Sequence, residues 1–175
     1  MQKIEIPLSK SKITGLIIGS LLFVAAGIFM LAGDKYSSFN FYPSEVIKTA
    51  GSIAVLFFGA CAIIGIKKMF DKKMGLVIDS EGITENTSAV SIGFIPWEDI
   101  QGIGEYNVMS NKMVLIYLHD NKKYISRYSS WKKTLVNKNI NVCGTPISIS
   151  ANSLQISYHD LKQKIESAFI NHKPL

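Results

Sequence analysis

Residues 13–32 read ITGLIIGSLLFVAAGIFMLA, an unbroken run without a charged side chain. A helix of ~20 apolar residues crosses the ~30 Å hydrocarbon core of a bilayer. Residues 50–66, AGSIAVLFFGACAIIGI, form a second uncharged run, close to the ~17 residues that a span needs at least. Pro43 suits a first helical turn, where its missing N–H would be unpaired anyway. A helix over residues 43–70 then sets Glu45 and Lys48 at one interface and Lys67 and Lys68 at the other. Two core helices of a soluble protein are the alternative, but the hundred or so residues that follow are too few to surround them.

Lys3, Lys10 and Lys12 precede the first run, as basic residues precede a secretory signal. The run exceeds the ~7–15 apolar residues of such a signal, and Met30-Leu31-Ala32 lacks the paired small residues of a cleavage site. Asp34 stands where a lipoprotein signal would need cysteine. The segment reads as an uncleaved anchor.

Charge sets the expected orientation. Lys3, Lys10 and Lys12 outweigh Glu5 before the first span, and Lys67, Lys68, Lys72 and Lys73 outweigh Asp71 after the second. Between the spans Asp34 and Glu45 cancel Lys35 and Lys48, and residues 74–175 are nearly neutral. Positive flanks stay in the cytoplasm. The chain thus divides into a cytoplasmic segment 1–12, transmembrane helices 13–32 and 49–68, an external loop 33–48 and a cytoplasmic domain 74–175. This is a multi-pass inner-membrane protein with both termini inside. The net charge of +6 belongs to membrane edges, so nucleic acid is not an expected partner. The bilayer is: Lys10, Lys12, Lys67, Lys68, Lys72 and Lys73 form the membrane-surface contact, each attracting anionic lipid by ~1 kcal/mol near the surface.

Tyr36, Phe39, Phe41 and Tyr42 crowd the external loop, as in an interfacial aromatic belt or a partner-binding tip. Gly15 and Gly19 make a GxxxG pattern that lets helix backbones approach closely, serving either the intrachain hairpin or a homodimer. Cys61 lies in a span and Cys143 in the domain, so both are expected to be reduced.

Beyond the spans, residues 75–79, 82–86, 88–95, 103–109, 112–118 and 122–128 read as short strands. Turn residues separate them at Asp79-Ser80-Glu81-Gly82, Ser110-Asn111 and His119-Asp120-Asn121. Residues 130–137 read as one or two helical turns with Trp131 and Leu135 on one face. Ile140 and Val142, then Ile147 and Ile149, alternate around Gly144-Thr145-Pro146 as further strands. Such spacing indicates an antiparallel sandwich or barrel. A final helix is marked by a Ser157–Asp160 capping box and an Ile156–Leu161 staple. Tyr158, Leu161, Ile165, Ala168 and Phe169 make its apolar stripe, and Lys162, Gln163, Lys164 and Glu166 its polar face.

Short strands closed by one C-terminal amphipathic helix resemble a pleckstrin-homology-like (PH-like) domain. Ile95-Pro96-Trp97-Glu98-Asp99-Ile100, with Ile103 following, resembles a segment of bacterial PH-like domains that adjoin membrane spans. The whole chain is similar to a family of small bacterial two-span membrane proteins with a cytoplasmic PH-like domain. The resemblance implies an α+β protein, a two-helix transmembrane hairpin followed by a PH-like β-sandwich or barrel with a capping helix. It implies an anchor and brings no chemistry. Phosphoinositide-binding members use basic residues around the first hairpin; here its tip is Asp79, Ser80 and Glu81.

Chemistry-bearing motifs are scarce. The chain has no GxxxxGK[ST], HExxH or CxxC, the patterns that cradle phosphate, bind zinc or do thiol exchange. His119, His159 and His172 fall at a turn, a helix start and the tail, and the flank of Cys143 does nothing to lower a thiol pKa. Glu98 and Asp99, if in a strand, point to opposite faces. No catalytic, cofactor or metal site is expected, and the chain is read as a non-enzyme. Trp97, Glu98 and Asp99 stand as structural or partner contacts: the indole at a sandwich corner, the acids capping or pairing with a lysine.

The expected role is a membrane-anchored interaction or scaffold module with a protein or peptide partner. An added peptide strand would lie between the last helix and the strand around Ser148 and Ser150. The alternative is a component of a membrane enzyme, transporter or toxin-immunity system, which polar groups inside the spans would favour; the spans hold only Thr14, Ser20, Thr49, Ser52 and Cys61. On this orientation a cytoplasm-dependent reporter fused after Leu175 is active, and a membrane-impermeant thiol reagent labels Ser38→Cys in intact cells. Labelling of Cys143 with Ser38→Cys silent would reverse the orientation.

Overall fold

A computed structural model describes residues 3–32, 43–108 and 111–172. The aromatic loop cluster Tyr36, Phe39, Phe41 and Tyr42, the turn residue Ser110 and the tail 173–175 lie outside the described residues. The chain forms two compact units: residues 10–72, and residues 1–9 together with 73–175.

The first unit is a pair of antiparallel helices, α1 (Lys10–Ala32) and α2 (Ser44–Met69). At ~1.5 Å per residue each exceeds ~30 Å, so both are long and apolar enough to span a membrane. Their large side chains face outward: Leu56 is 75 % exposed and Leu22 67 %. The Ser20, Thr49 and Ser52 hydroxyls donate to the carbonyls of Leu16, Glu45 and Lys48 in their own helices at 2.7–2.9 Å, and Thr14 donates across to Met69 Sδ at 3.8 Å, which meets their needs without water.

The helices meet through glycines other than the GxxxG pair. A Cβ on Gly27 would lie 2.9 Å from the Gly51 carbonyl oxygen, and one on Gly51 2.9 Å from that of Gly27. A Cβ on Gly65 would lie 2.8 Å from the Ile17 side chain, and Phe23 stacks on Phe58 with centroids 4.3 Å apart. Around Gly15 and Gly19 no atom lies within 4 Å of where a Cβ would be. Of the two uses expected for that motif, the described hairpin does not make the intrachain one.

The second unit holds two antiparallel sheets and a C-terminal helix. The first sheet has the order β1-β2-β3-β4: β1 (Ile4–Ile6), β2 (Leu76–Ile78), β3 (Gly82–Glu85) and β4 (Gly93–Pro96). The second has the order β5-β6-β7: β5 (Ile100–Val108), β6 (Asn111–Leu118) and β7 (Ile147–Ser150). A 3₁₀ turn, Trp97–Asp99, carries the chain from one sheet to the other. Leu76, Ile78, Ile83 and Ile95 of the first sheet and Val114, Ile116 and Ile149 of the second are fully buried. Helix α5 (Tyr158–His172) adds Leu161, Ile165 and Ala168 to that core and packs on β5 and β6. Ser157 caps it, accepting from Asp160 N–H at 3.2 Å while its hydroxyl donates to the Asp160 carboxylate at 2.7 Å.

The N-terminal segment, read from sequence as separate from the domain, is built into it. Ile4, Glu5 and Ile6 pair with Ile78, Val77 and Leu76. Ser9 N–H donates to the Ser153 carbonyl at 2.8 Å, and Leu8 is 5 % exposed.

Two strand expectations give way to helix. Residues 122–128 include α3 (Asn121–Ile125), because the Asp120 carboxylate accepts from the N–H groups of Lys122 (2.8 Å) and Lys123 (3.4 Å) and starts a helical turn. Aspartate satisfies the free N–H groups of a first turn well. Ile140 and Val142 lie in α4 (Ser130–Cys143), which runs on to a left-handed Gly144 at φ 76°. Glycine there ends a helix; the sequence reading took it for a hairpin turn. The third strand is also shorter than expected and begins at Gly93.

Loss of β1 is the test of this architecture. The fragment 74–175 leaves Leu76, Ile78 and Leu154 without Ile6 and Leu8, each worth ~1.5–3 kcal/mol when buried. It is expected to melt well below a rearranged chain in which residues 73–175 run through a Gly/Ser linker into residues 1–9, measured by thermal circular dichroism. Equal melting temperatures would show that β1 adds nothing.

Candidate functional site

The crossing between the sheets fixes Trp97. Its indole Nε1–H donates to the Asp79 carbonyl at 2.9 Å and its backbone N–H to the Glu81 carbonyl at 3.2 Å. One corner residue is thereby tied to the β2–β3 turn, whose own N–H groups at Glu81 and Gly82 donate to the Asp79 carboxylate at 2.9 and 3.1 Å. The indole is only 9 % exposed and stacks on the His172 imidazole, with centroids 4.9 Å apart and planes 12° apart. His172 Nδ1 lies 2.8 Å from the Ala168 carbonyl; the carbonyl only accepts, so Nδ1 carries the proton of this bond.

Beside the stack opens a cleft of about 960 Å³. Phe94, Ile100 and Phe169 give it apolar surface, and Glu81, Glu98 and His119 give it polar groups. Pockets of this size and mixed lining are where small molecules and side chains bind. Trp97 and Glu98, singled out from sequence, both line it.

Asp99 turns elsewhere. Its carboxylate accepts from Lys123 Nζ at 2.9 and 2.6 Å and from the Tyr124 hydroxyl at 2.5 Å, bracing α3 against the corner. Partial burial pushes the Asp99 carboxyl up, but hydrogen bonds from Lys123 and Tyr124 outweigh it and hold the group below the usual carboxylate range. Burial, then the bond to Asp99, holds the Tyr124 phenol well above its ordinary value. Glu98 and Asp99 thus lie in a turn and not in a strand, and they serve different neighbours.

Glu85 is a functional-looking group that the sequence reading passed over. This buried carboxylate accepts from the N–H groups of Thr87 (2.6 Å) and Ile92 (3.0 Å) and from the Thr87 hydroxyl. Its lone pairs hold the loop 86–92 in shape. Tyr128 donates to the Val90 carbonyl of the same loop at 2.8 Å, and burial, with the Glu85 charge adding to it, pushes its phenol up to about 12. The signal in the sequence was a Glu followed by Asn, Thr and Ser, all loop formers.

Of the lysines expected to contact a membrane surface, the antiparallel hairpin places Lys10 and Lys12 at the same end as Lys67 and Lys68. Lys68 pairs with Asp71 at 3.5 Å; Lys72 and Lys73 follow on the chain. The groove expected between the last helix and β7 is not formed. Helix α5 lies on β5 and β6, and β7 is joined to α4 by the Ser148 hydroxyl, which donates to Asn139 Oδ1 at 3.4 Å, while Asn139 Nδ2 donates to the Thr145 carbonyl just before the strand at 3.0 Å. The groove beside α5, about 640 Å³, is walled instead by Ile4, Glu5 and Ile6 of β1.

Among the described residues no three His, Cys, Asp or Glu side chains converge to hold a metal ion. Compared with protein-family models, curated proteins and solved structures, the chain matches none.

The Asp99 network sets a pH dependence. Its folded-state pKa is lowered, so its stabilisation is full above the unfolded value of ~3.9 and is lost as pH falls through the folded value. Asp99→Asn should cost about 1–3 kcal/mol at neutral pH, and the two proteins should converge as pH falls below the lowered folded-state value of Asp99. Thermal melts of the full chain in detergent across that range check this; a pH-independent difference would assign the loss to shape and not to charge.

Proposed function

We propose that this chain is a membrane-anchored interaction module, a transmembrane hairpin bearing a PH-like domain that binds a protein partner through the cleft beside Trp97. The cleft carries the reading: it joins aromatic surface at Phe94 and Phe169 to the carboxylates of Glu81 and Glu98 in one opening. The arrangement of two antiparallel sheets with a C-terminal helix is consistent with the PH-like resemblance. Pairing of β1 with β2 joins residues on either side of the hairpin. It therefore supports an even number of crossings, with residues 1–9 and 73–175 on one face, and the lysine excess argues that this face is cytoplasmic. The partner reaches the cleft from the cytoplasm, and the basic membrane edge needs no specific ligand to do its work.

A photoreactive phenylalanine analogue at Phe94, which is 43 % exposed, should cross-link in cells to one discrete polypeptide that also co-purifies in mild detergent. The same analogue at Gln163, on the outer face of α5, should not. Cross-linking from Gln163 alone, or nucleotide or ester turnover by the purified chain, would overturn the reading.

A further inference from the structure

The cleft beside Trp97 is opposite in charge to the chain that carries it. Two carboxylates, Glu81 and Glu98, line this opening, and among the described residues no Lys or Arg does, although the protein as a whole has a net charge of +6. Both residues are exposed, and among the described residues neither carboxylate has an ion-pair partner. Asp99, next in the chain, shows the contrast, since Lys123 already neutralises it. Two unneutralised acids beside Phe94 and Phe169 form a surface that is both anionic and aromatic.

Resting on the reading of this cleft as the partner site, we infer that it receives a cationic side chain, and that arginine is the side chain it fits. A guanidinium is planar, stacks on aromatic faces and donates several N–H groups to carboxylates in one plane. It is less strongly hydrated than an ammonium, so moving it against Phe94 and Phe169 costs less. Its three-carbon stem covers apolar surface while its head meets Glu81 and Glu98. Lysine supplies the charge without the stacking plane, and a neutral side chain supplies neither.

The chain has two tryptophans, and Trp131 lies outside the cleft, so Trp131→Phe leaves Trp97 as the sole tryptophan, which is excited selectively over the tyrosines. The full chain in detergent, in that background, is titrated with N-acetylarginine methylamide and with the citrulline analogue, which has nearly the same shape without the charge. The arginine compound should perturb Trp97 emission saturably, with citrulline roughly tenfold weaker and lysine between them. In Glu81→Gln/Glu98→Gln the arginine preference should vanish while the melting temperature stays unchanged. Equal response to arginine and citrulline, or a preference that survives the double substitution, overturns the inference. If the Phe94 cross-link still forms in that case, the cleft is a partner site that does not select charge; if it also fails, the partner-site reading falls with it.

Discussion

The chain passes between its two sheets once, at Trp97–Asp99, and the rest of the globular unit depends on how that passage is held. A turn between layers exposes backbone donors and needs a rigid anchor. Trp97 supplies it with two hydrogen bonds, one from the indole and one from its own N–H, to the β2–β3 turn on the first sheet. Asp99 grips α3 from the other side through Lys123 and Tyr124, and its carbonyl accepts from His119 N–H at 3.0 Å at the end of β6. Trp97 and Asp99 thus tie the β2–β3 turn, the end of β6 and α3 together. The cleft follows from this: a large ring pinned at a corner leaves space beside it that α5 closes only in part.

The parts of the fold written in local pattern were legible. Two uncharged runs can only be long apolar helices, and the stripe from Tyr158 to Phe169 with its capping box can only be an amphipathic one. Where local signals competed, the reading failed for identifiable reasons. Tyr124, Ser126 and Tyr128 alternate as a strand does, but the Asp120 cap decides for helix. Ile140 and Val142 alternate too, yet they sit at the end of a helix whose stop signal, Gly144, also serves as a turn residue. The strand at Ile4–Ile6 is three residues long and follows a start that looked like a charged flank. Nothing local says that its partner lies some seventy residues away.

The site was legible in one segment and hidden in the others. Trp97 and Glu98 drew notice through the segment Ile95–Ile100, whose pattern resembles one in bacterial PH-like domains. Phe94, Phe169 and His172 did not, because each has an ordinary local role: an outward strand position, a helix stripe, a terminal turn. Only the tertiary fold brings residue 81 and residue 172 to one opening. Asp99 was set beside Glu98 by its neighbourhood in sequence, and the 3₁₀ geometry of the turn separates them.

The discontinuous globular unit also has a history in time. Its first strand leaves the ribosome before either long apolar helix, and its pairing partner β2 follows the whole insertion of residues 10–72. At ~5–20 residues per second, that insertion takes ~3–13 s to make. During that interval Ile4 and Ile6 have no sheet to join. Were the two apolar helices to cross a bilayer, closing the sheet would require both ends of the hairpin to emerge on one side of it. A chain with a single crossing would hold β1 across the membrane from β2, and the first sheet would lack its edge strand. On that arrangement the folding of the globular unit reports how many times the chain has crossed.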